Sequence, residues 1–141
     1  MSAPMQGDLQ PTVYRFKLGG FEVATVLDSK GIREGLSPLY GANASASEVH
    51  ALAHANNIDP HRLEHPNIPT LLNTGKELIL FDTGNGMLPR DHEQLRARMP
   101  MGNLATRLAQ LGYSPEDIDV VVLTHGHPDH IGGLTDGGKP V

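Results

Sequence analysis

The chain has 141 residues, of which 38% are hydrophobic, with no cysteine, no tryptophan and a formal charge of −5. That length holds one domain with a modest core; the lack of cysteine excludes disulfides and thiolate metal ligands, and an acidic balance without a basic run argues against nucleic acid as a partner. The opening residues carry neither a basic n-region nor an apolar h-region and no stretch approaches a membrane span, so no signal peptide and no membrane partner are expected, and the expected location is the cytoplasm.

Residues 1–11 are polar with two prolines and read as a flexible tail ahead of one domain over 12–141. Residues 13–18 and 21–27 alternate in part around Gly19-Gly20, which predicts a β-hairpin. Residues 28–43 are rich in Gly, Ser and Pro and read as loop. Residues 45–56 predict a helix, started by Ser45 or Ser47 with Glu48 in the first turn and Val49, Leu52 and Ala53 on its apolar side. His50 and His54 stand four apart, as do His61 and His65. That spacing suits zinc on one helix face, but without an HExxH pattern these are read as solvated polar faces. This insert could alternatively roof a pocket and bring its histidines to substrate.

Pro66 to Pro69 reads as a break. Short strands follow over 68–72 and 77–81 around the turn Asn73-Thr74-Gly75-Lys76. Asp82-Thr83-Gly84 ends the second strand. A carboxylate there can orient a ligating histidine, although Asp, Thr and nearby glycines also suit a turn. The loop over 85–89 could wall a pocket with Met87 and Leu88. Residues 91–99 predict a helix. Asn103 is placed to cap another, with Leu104, Ala105, Leu108 and Leu111 on one stripe and Gly112 as its stop. Ser114-Pro115-Glu116-Asp117 is a further helix start, leading into an expected buried strand at Val120-Val121-Val122-Leu123-Thr124. Alternation of strands and helices points to an α/β layered fold.

After that strand comes His125-Gly126-His127-Pro128-Asp129-His130, four potential metal ligands within six residues. Imidazole and carboxylate suit zinc, and also manganese, iron or cobalt. Positions i and i+2 of an extended segment point the same way, so His125 and His127 can share one ion. Pro128 bends the chain and turns Asp129 and His130 elsewhere, towards a second ion.

The run Leu123-Thr124-His125-Gly126-His127-Pro128-Asp129-His130-Ile131-Gly132-Gly133 resembles the signature of the metallo-β-lactamase superfamily, on the side of its lactonases and methyl parathion hydrolase-like enzymes. Asp82-Thr83-Gly84 is similar to a motif the family carries ahead of its histidines. The resemblance implies an αββα sandwich and a dinuclear zinc centre. It assigns His125 and His127 to the first metal, Asp129 and His130 to the second, Asp82 behind the ligands, and Asp129 as the catalytic residue that also holds the nucleophile in line. It implies hydrolysis of small esters, lactones or phosphotriesters by metal-bound hydroxide. A glyoxalase II-like thioesterase, a β-lactamase, or a non-catalytic metal-binding or assembly fragment are the alternatives.

Family members usually draw further ligands from later strands, and Asp136 stands too close along the chain to be assigned as a bridging one. The expectation is therefore an incomplete sandwich, the N-terminal half of such a domain, with an open apolar sheet face. Self-association into a homo-oligomer or a complementary C-terminal segment would cover it. The polypeptide alone is expected to hold metal weakly and to turn over little.

Overall fold

The structure, a computed structural model, describes Ala3 and residues 11–87, 101–136 and 139–140, the last two and Asp136 as backbone. Most of the expected tail, Leu88 and the helix expected over 91–99 lie outside the described residues, as does the Asp136 side chain. Among the described residues no helix is long and apolar enough to cross a membrane.

The expected hairpin forms β1 (Val13–Leu18) and β2 (Phe21–Val26), antiparallel, turning at Gly19 with φ 60°. A left-handed residue at that turn favours glycine. β2 pairs with β5 (Thr70–Asn73), and β5 with β6 (Leu78–Phe81), both antiparallel. The turn between β5 and β6 is closed by the Thr74 hydroxyl, which accepts from the Glu77 and Lys76 N–H groups. β6 then pairs in parallel with β7 (Val120–Val122), completing a five-stranded sheet in the order β1-β2-β5-β6-β7. A parallel pair needs a crossover, and the crossover carries helix α2 (Leu104–Leu111).

α2 seals one face of the sheet. Leu108 is 1% exposed and Leu111 is buried, both against Ala24, Val26, Leu71, Leu78 and Leu80. Leu104 packs at the margin of this cluster, whereas Ala105 faces solvent, so the stripe is narrower than expected. Gly112 ends the helix with φ 85°, as its position suggested. Ser114 and Asp117 form a reciprocal cap around a single 3-10 turn (Pro115–Asp117), not a longer helix.

Residues 28–69 depart most from expectation. What reads as loop contains β3 (Ser29–Glu34), paired antiparallel with β4 (Arg62–Asn67), which runs through the expected break at Pro66. Neither strand has an alternating apolar face for a sequence reading to find. They are joined by backbone pairing and polar contacts instead, including Lys30 to Glu64 at 3.1 Å and the Asn67 amide donating to the Ser29 hydroxyl at 3.0 Å. Between them, α1 (Ala46–Ala55) forms as expected. Ser45 caps it, its hydroxyl accepting from the Glu48 N–H while the Glu48 carboxylate accepts from the Ser45 N–H. Of its apolar side only Ala53 is buried, and Leu52 is 68% exposed.

The ligand-bearing strand is also corrected. Val120, Val121, Val122 and Leu123 are each about two-fifths exposed, not buried. β7 is the last strand in the sheet order, and among the described residues no strand lies beyond it.

Leu108→Ala is expected to cost about 2–5 kcal/mol of unfolding free energy, and Leu52→Ala less than about 0.5 kcal/mol. Urea denaturation of the two variants checks the ranking; equal losses would mean that α2 does not seal the core.

Candidate metal centre

Two strands running in parallel end side by side, so whatever follows each of them meets at one sheet edge. Ile79, Leu80 and Phe81 of β6 are in register with Val120, Val121 and Val122 of β7. Asp82 extends the ladder by donating its N–H to the Val122 carbonyl at 2.9 Å. It then turns the chain with φ 58°. That left-handed conformation is costly for a side chain with a Cβ, and aspartate is among the few that adopt it, because its carboxylate can bond locally.

The Asp82 carboxylate lies beneath the loop that leaves β7. Its Oδ1 accepts from the Thr124 N–H at 2.8 Å. The Thr124 hydroxyl lies 3.0 and 2.8 Å from its two oxygens, and His130 Nδ1 lies 2.8 Å from Oδ2. Burial raises the Asp82 carboxyl. The Thr124 N–H, the His130 ring, the Thr124 hydroxyl and the charge of His130 act the other way and hold it below its ordinary value.

Pro128 opens a one-turn helix, α3 (Pro128–Ile131), with His127 at its cap; the preset φ of proline suits that first position. His130 is anchored at its backbone as well as at its ring. Its carbonyl accepts from the Thr83 N–H at 2.8 Å and the Thr83 hydroxyl at 3.0 Å. The same hydroxyl accepts from the Gly133 N–H at 3.1 Å. Here the loop after β6 runs backbone against backbone with the turn after α3. A Cβ on Gly132 would collide with the Asn85 carbonyl, one on Gly133 with the Thr83 carbonyl, and one on Gly86 with Gly132. The glycines are required by that approach.

The three imidazoles of the signature stand together. His125 meets His130 at 3.8 Å between ring centroids and His127 at 4.5 Å. Asp129 Oδ2 lies 3.5 Å from His130 Nε2. Three imidazoles and a carboxylate at one sheet edge are the donor chemistry of a zinc site. Among the described residues, however, no group of three such side chains is gathered tightly enough about one point to hold an ion. The donor set fits a divalent cation; the closed cage is not formed by these residues alone.

The other histidines go elsewhere. His50 meets His61 edge-on at 5.0 Å, and His65 Nε2 lies 3.1 Å from the Tyr40 hydroxyl. The cavity beside them, about 700 Å³, is lined by residues between Leu36 and His65 and by none of the signature. Met87 lines a different cavity of about 270 Å³ with Leu104, Leu108 and Val121.

Two residues of this region were not singled out in the sequence. The first is Thr124, described above. The second is Asp28, 1% exposed, whose Oδ2 accepts from the Asn85 N–H at 2.9 Å and Oδ1 from the Asn103 N–H at 2.8 Å. It ties the end of β2 to the loop after β6 and to the start of α2. Its signal was available: like Asp82, it stands directly after an apolar strand.

Residues 69–136 match the family model described as the metallo-beta-lactamase superfamily. N-acyl homoserine lactonase AiiB of Agrobacterium fabrum (strain C58 / ATCC 33970) is 43% identical over an alignment covering 43% of this chain and 26% of that protein. Metallo-beta-lactamase domain-containing protein 1 of Mus musculus is 58% identical over 23% of this chain and 13% of its own length. Among solved structures, AidC, a dizinc quorum-quenching lactonase in complex with an N-hexanoyl-L-homoserine product, superposes with a TM-score of 0.74 at 30% identity, covering 89% of this chain and 40% of AidC. The hydrolase AbOPH of the beta lactamase superfamily gives 0.74 at 27% identity, covering 94% and 42%. The chain thus spans about a quarter of the curated lactonase and about two-fifths of these solved chains.

Gly132→Ala is expected to lower stability by about 1–3 kcal/mol, because the obstacle is backbone. Gly126→Ala, whose Cβ would meet nothing within 4 Å, should stay within about 0.5 kcal/mol of the parent. Denaturant midpoints of the pair decide this.

For Asp82 the sign follows from a lowered carboxyl. Its contribution is full above the unfolded value of ~3.9 and is lost as pH falls through the lower folded value. Asp82→Asn should therefore be less stable than the parent at neutral pH, with the gap closing under acid. A gap independent of pH would sink this account of the carboxylate.

Proposed function

Because the chain resembles the metallo-β-lactamase superfamily in its lactonase-like branch and shares its α/β fold, we propose that it carries the first ligand cluster of a dinuclear zinc hydrolase acting on lactones or similar small esters. The observation that carries this reading is the meeting of His125, His127 and His130 at the sheet edge that also holds Asp82. His125 and His127 would hold one cation, and Asp129 and His130 the other. Paired zinc ions would supply polarisation of the scissile carbonyl and activation of water near neutral pH.

The chain's own residues have the remaining tasks. Asp82 fixes the His130 ring, and Thr83 fixes the His130 backbone, so this donor is presented at a set distance from β6. Asp129, beside His130 Nε2, would hold the attacking water in line as well as bind. Lactones are preferred to phosphotriesters because two of the similar proteins are lactonases by name. A non-catalytic metal-binding or assembly role is the second reading, favoured by the lack, among the described residues, of three donors gathered about one point.

Four donors without a closed cage make a weak site. The 141-residue polypeptide is expected to hold zinc well below stoichiometry and to show little turnover. Its residual zinc affinity should fall about 10-fold or more in His125→Ala. Metal analysis with equilibrium dialysis measures both, and near-stoichiometric zinc with hydrolysis by this polypeptide would overturn the expectation. On the full-length product of the gene, a panel of lactone, thioester, phosphotriester and β-lactam substrates tests the reaction class. Turnover of lactones that fails in Asp129→Asn supports it; no hydrolysis of any of the four by zinc-loaded protein refutes it.

A further inference from the structure

The Thr124 hydroxyl has more neighbours than it has protons. Its oxygen lies 3.0 Å from Asp82 Oδ1, 2.8 Å from Asp82 Oδ2, 3.1 Å from His125 Nδ1 and 3.2 Å from His130 Nδ1. A hydroxyl donates once and accepts through two lone pairs, whereas an ionised carboxylate can only accept. If the hydroxyl proton were turned to His125, its lone pairs would face two carboxylate oxygens at these distances. A charge-assisted bond, roughly twice as strong as a neutral one, would be lost as well. The proton therefore points to Asp82.

The rest follows by elimination. With its proton spent, the hydroxyl can only accept from His125, so His125 must carry its proton on Nδ1. His130 Nδ1, 2.8 Å from Asp82 Oδ2, faces an acceptor and must donate too. Where each ring carries a single proton, Nε2 is then the unprotonated nitrogen of both, and in His130 it stands 3.5 Å from Asp129 Oδ2, a neighbour that only a second ring proton would satisfy.

We infer that Thr124 is a positioning residue that, acting from Asp82, locks His125 in the tautomer with Nδ1 protonated and Nε2 free to bind a cation. Asp82 reaches His130 directly, whereas it reaches His125 through the Thr124 hydroxyl. One carboxylate thus sets two ligands, the second by relay through a hydroxyl. This deepens the hydrolase reading and rests on it for the purpose of the free Nε2. The tautomer itself is a property of the metal-free chain.

Nitrogen-15 NMR of the histidine rings in the metal-free protein at about pH 8, above the ordinary imidazole pKa of ~6.5, reads it directly. In the parent, His125 and His130 should both show a protonated Nδ1 and an unprotonated Nε2. Thr124→Val should move the His125 proton to Nε2 and leave His130, still bonded to Asp82, unchanged. Thr124→Ser should restore the parent pattern. A parent His125 protonated on Nε2 overturns the inference, as does a folded Thr124→Val with an unshifted His125. Should Thr124→Val fail to fold, the parent and Thr124→Ser spectra decide, because both must show Nδ1 protonated. No turnover enters the measurement, so a failed substrate panel would leave the tautomer result standing, and a wrong tautomer would leave the hydrolase reading standing.

Discussion

Everything at the ligand edge depends on one carboxylate held in an unfavourable backbone conformation. Asp82 takes a left-handed φ of 58° at the end of β6. From there it gathers the Thr124 N–H, the Thr124 hydroxyl and the His130 ring. A residue with a Cβ holds that conformation only when its surroundings over-determine it. Here they do, because the ladder bond to Val122 and the bonds to the next loop act on the same residue. The parallel pairing of β6 with β7 makes the arrangement possible. An antiparallel neighbour would have sent the chain away at the far end of the sheet, and the carboxylate would have had no histidine loop beside it.

A second carboxylate, this one buried, repeats the device elsewhere in the sheet. Asp28, following β2, binds the backbone of Asn85 and Asn103. Gly84 and Gly102 pack closely against its carboxylate, where a Cβ at either position would collide. The loop after β6 is thus clamped from two sides, by Asp28 at Asn85 and by the turn after α3 at Gly132 and Gly133. A loop fixed in this way can follow a residue held in the left-handed region, as it does at Asp82. This is why the glycines of 84–86 and 132–133 belong to the site although none of them offers a ligand.

Much of this was legible in the sequence, for physical reasons that also explain what was not. The hairpin, α1, α2 and the β5–β6 turn announce themselves through period, caps and glycines, which act locally and leave local marks. The histidine cluster is legible as a gathering of side chains because four donors stand within six residues and the chain turns at Pro128 between them. Asp82 stood out because a carboxylate closed an apolar run. β3 and β4 left no such mark: their pairing is polar, one side carries Lys30 and Arg33, and the other carries Glu64 and a proline. Strand assignment from period alone fails where burial does not drive the strand. An open apolar sheet face was expected, but not at Val120 to Leu123, since an apolar run reads as buried whatever lies beside it. Thr124 acts through a partner 42 residues away and carries no local mark of it, whereas Asp28, whose partner stands 57 residues away, carried the same mark as Asp82, a carboxylate after an apolar run.

The ligand cluster is not uniformly prepared, and the difference has a physical consequence. His130 is held at its carbonyl by Thr83 and at its ring by Asp82. His125 is held through the Thr124 hydroxyl and by its ring contacts, and His127 at its carbonyl, which accepts from the His130 and Ile131 N–H groups, while its ring meets that of His125. Ordering a side chain costs free energy that a binding event must offset. A donor already fixed by two anchors adds little to that cost, whereas one fixed by ring contact adds more. The ring with most anchors is therefore that of His130, and the ring with fewest is that of His127, which is exposed although α3 holds its backbone. A cation entering this edge would meet His130 in place and would have to order the ring of His127 itself. That sequence makes the hydrogen-bond relay from Asp82 to His125 the step that extends rigidity from the prepared donor towards the unprepared one.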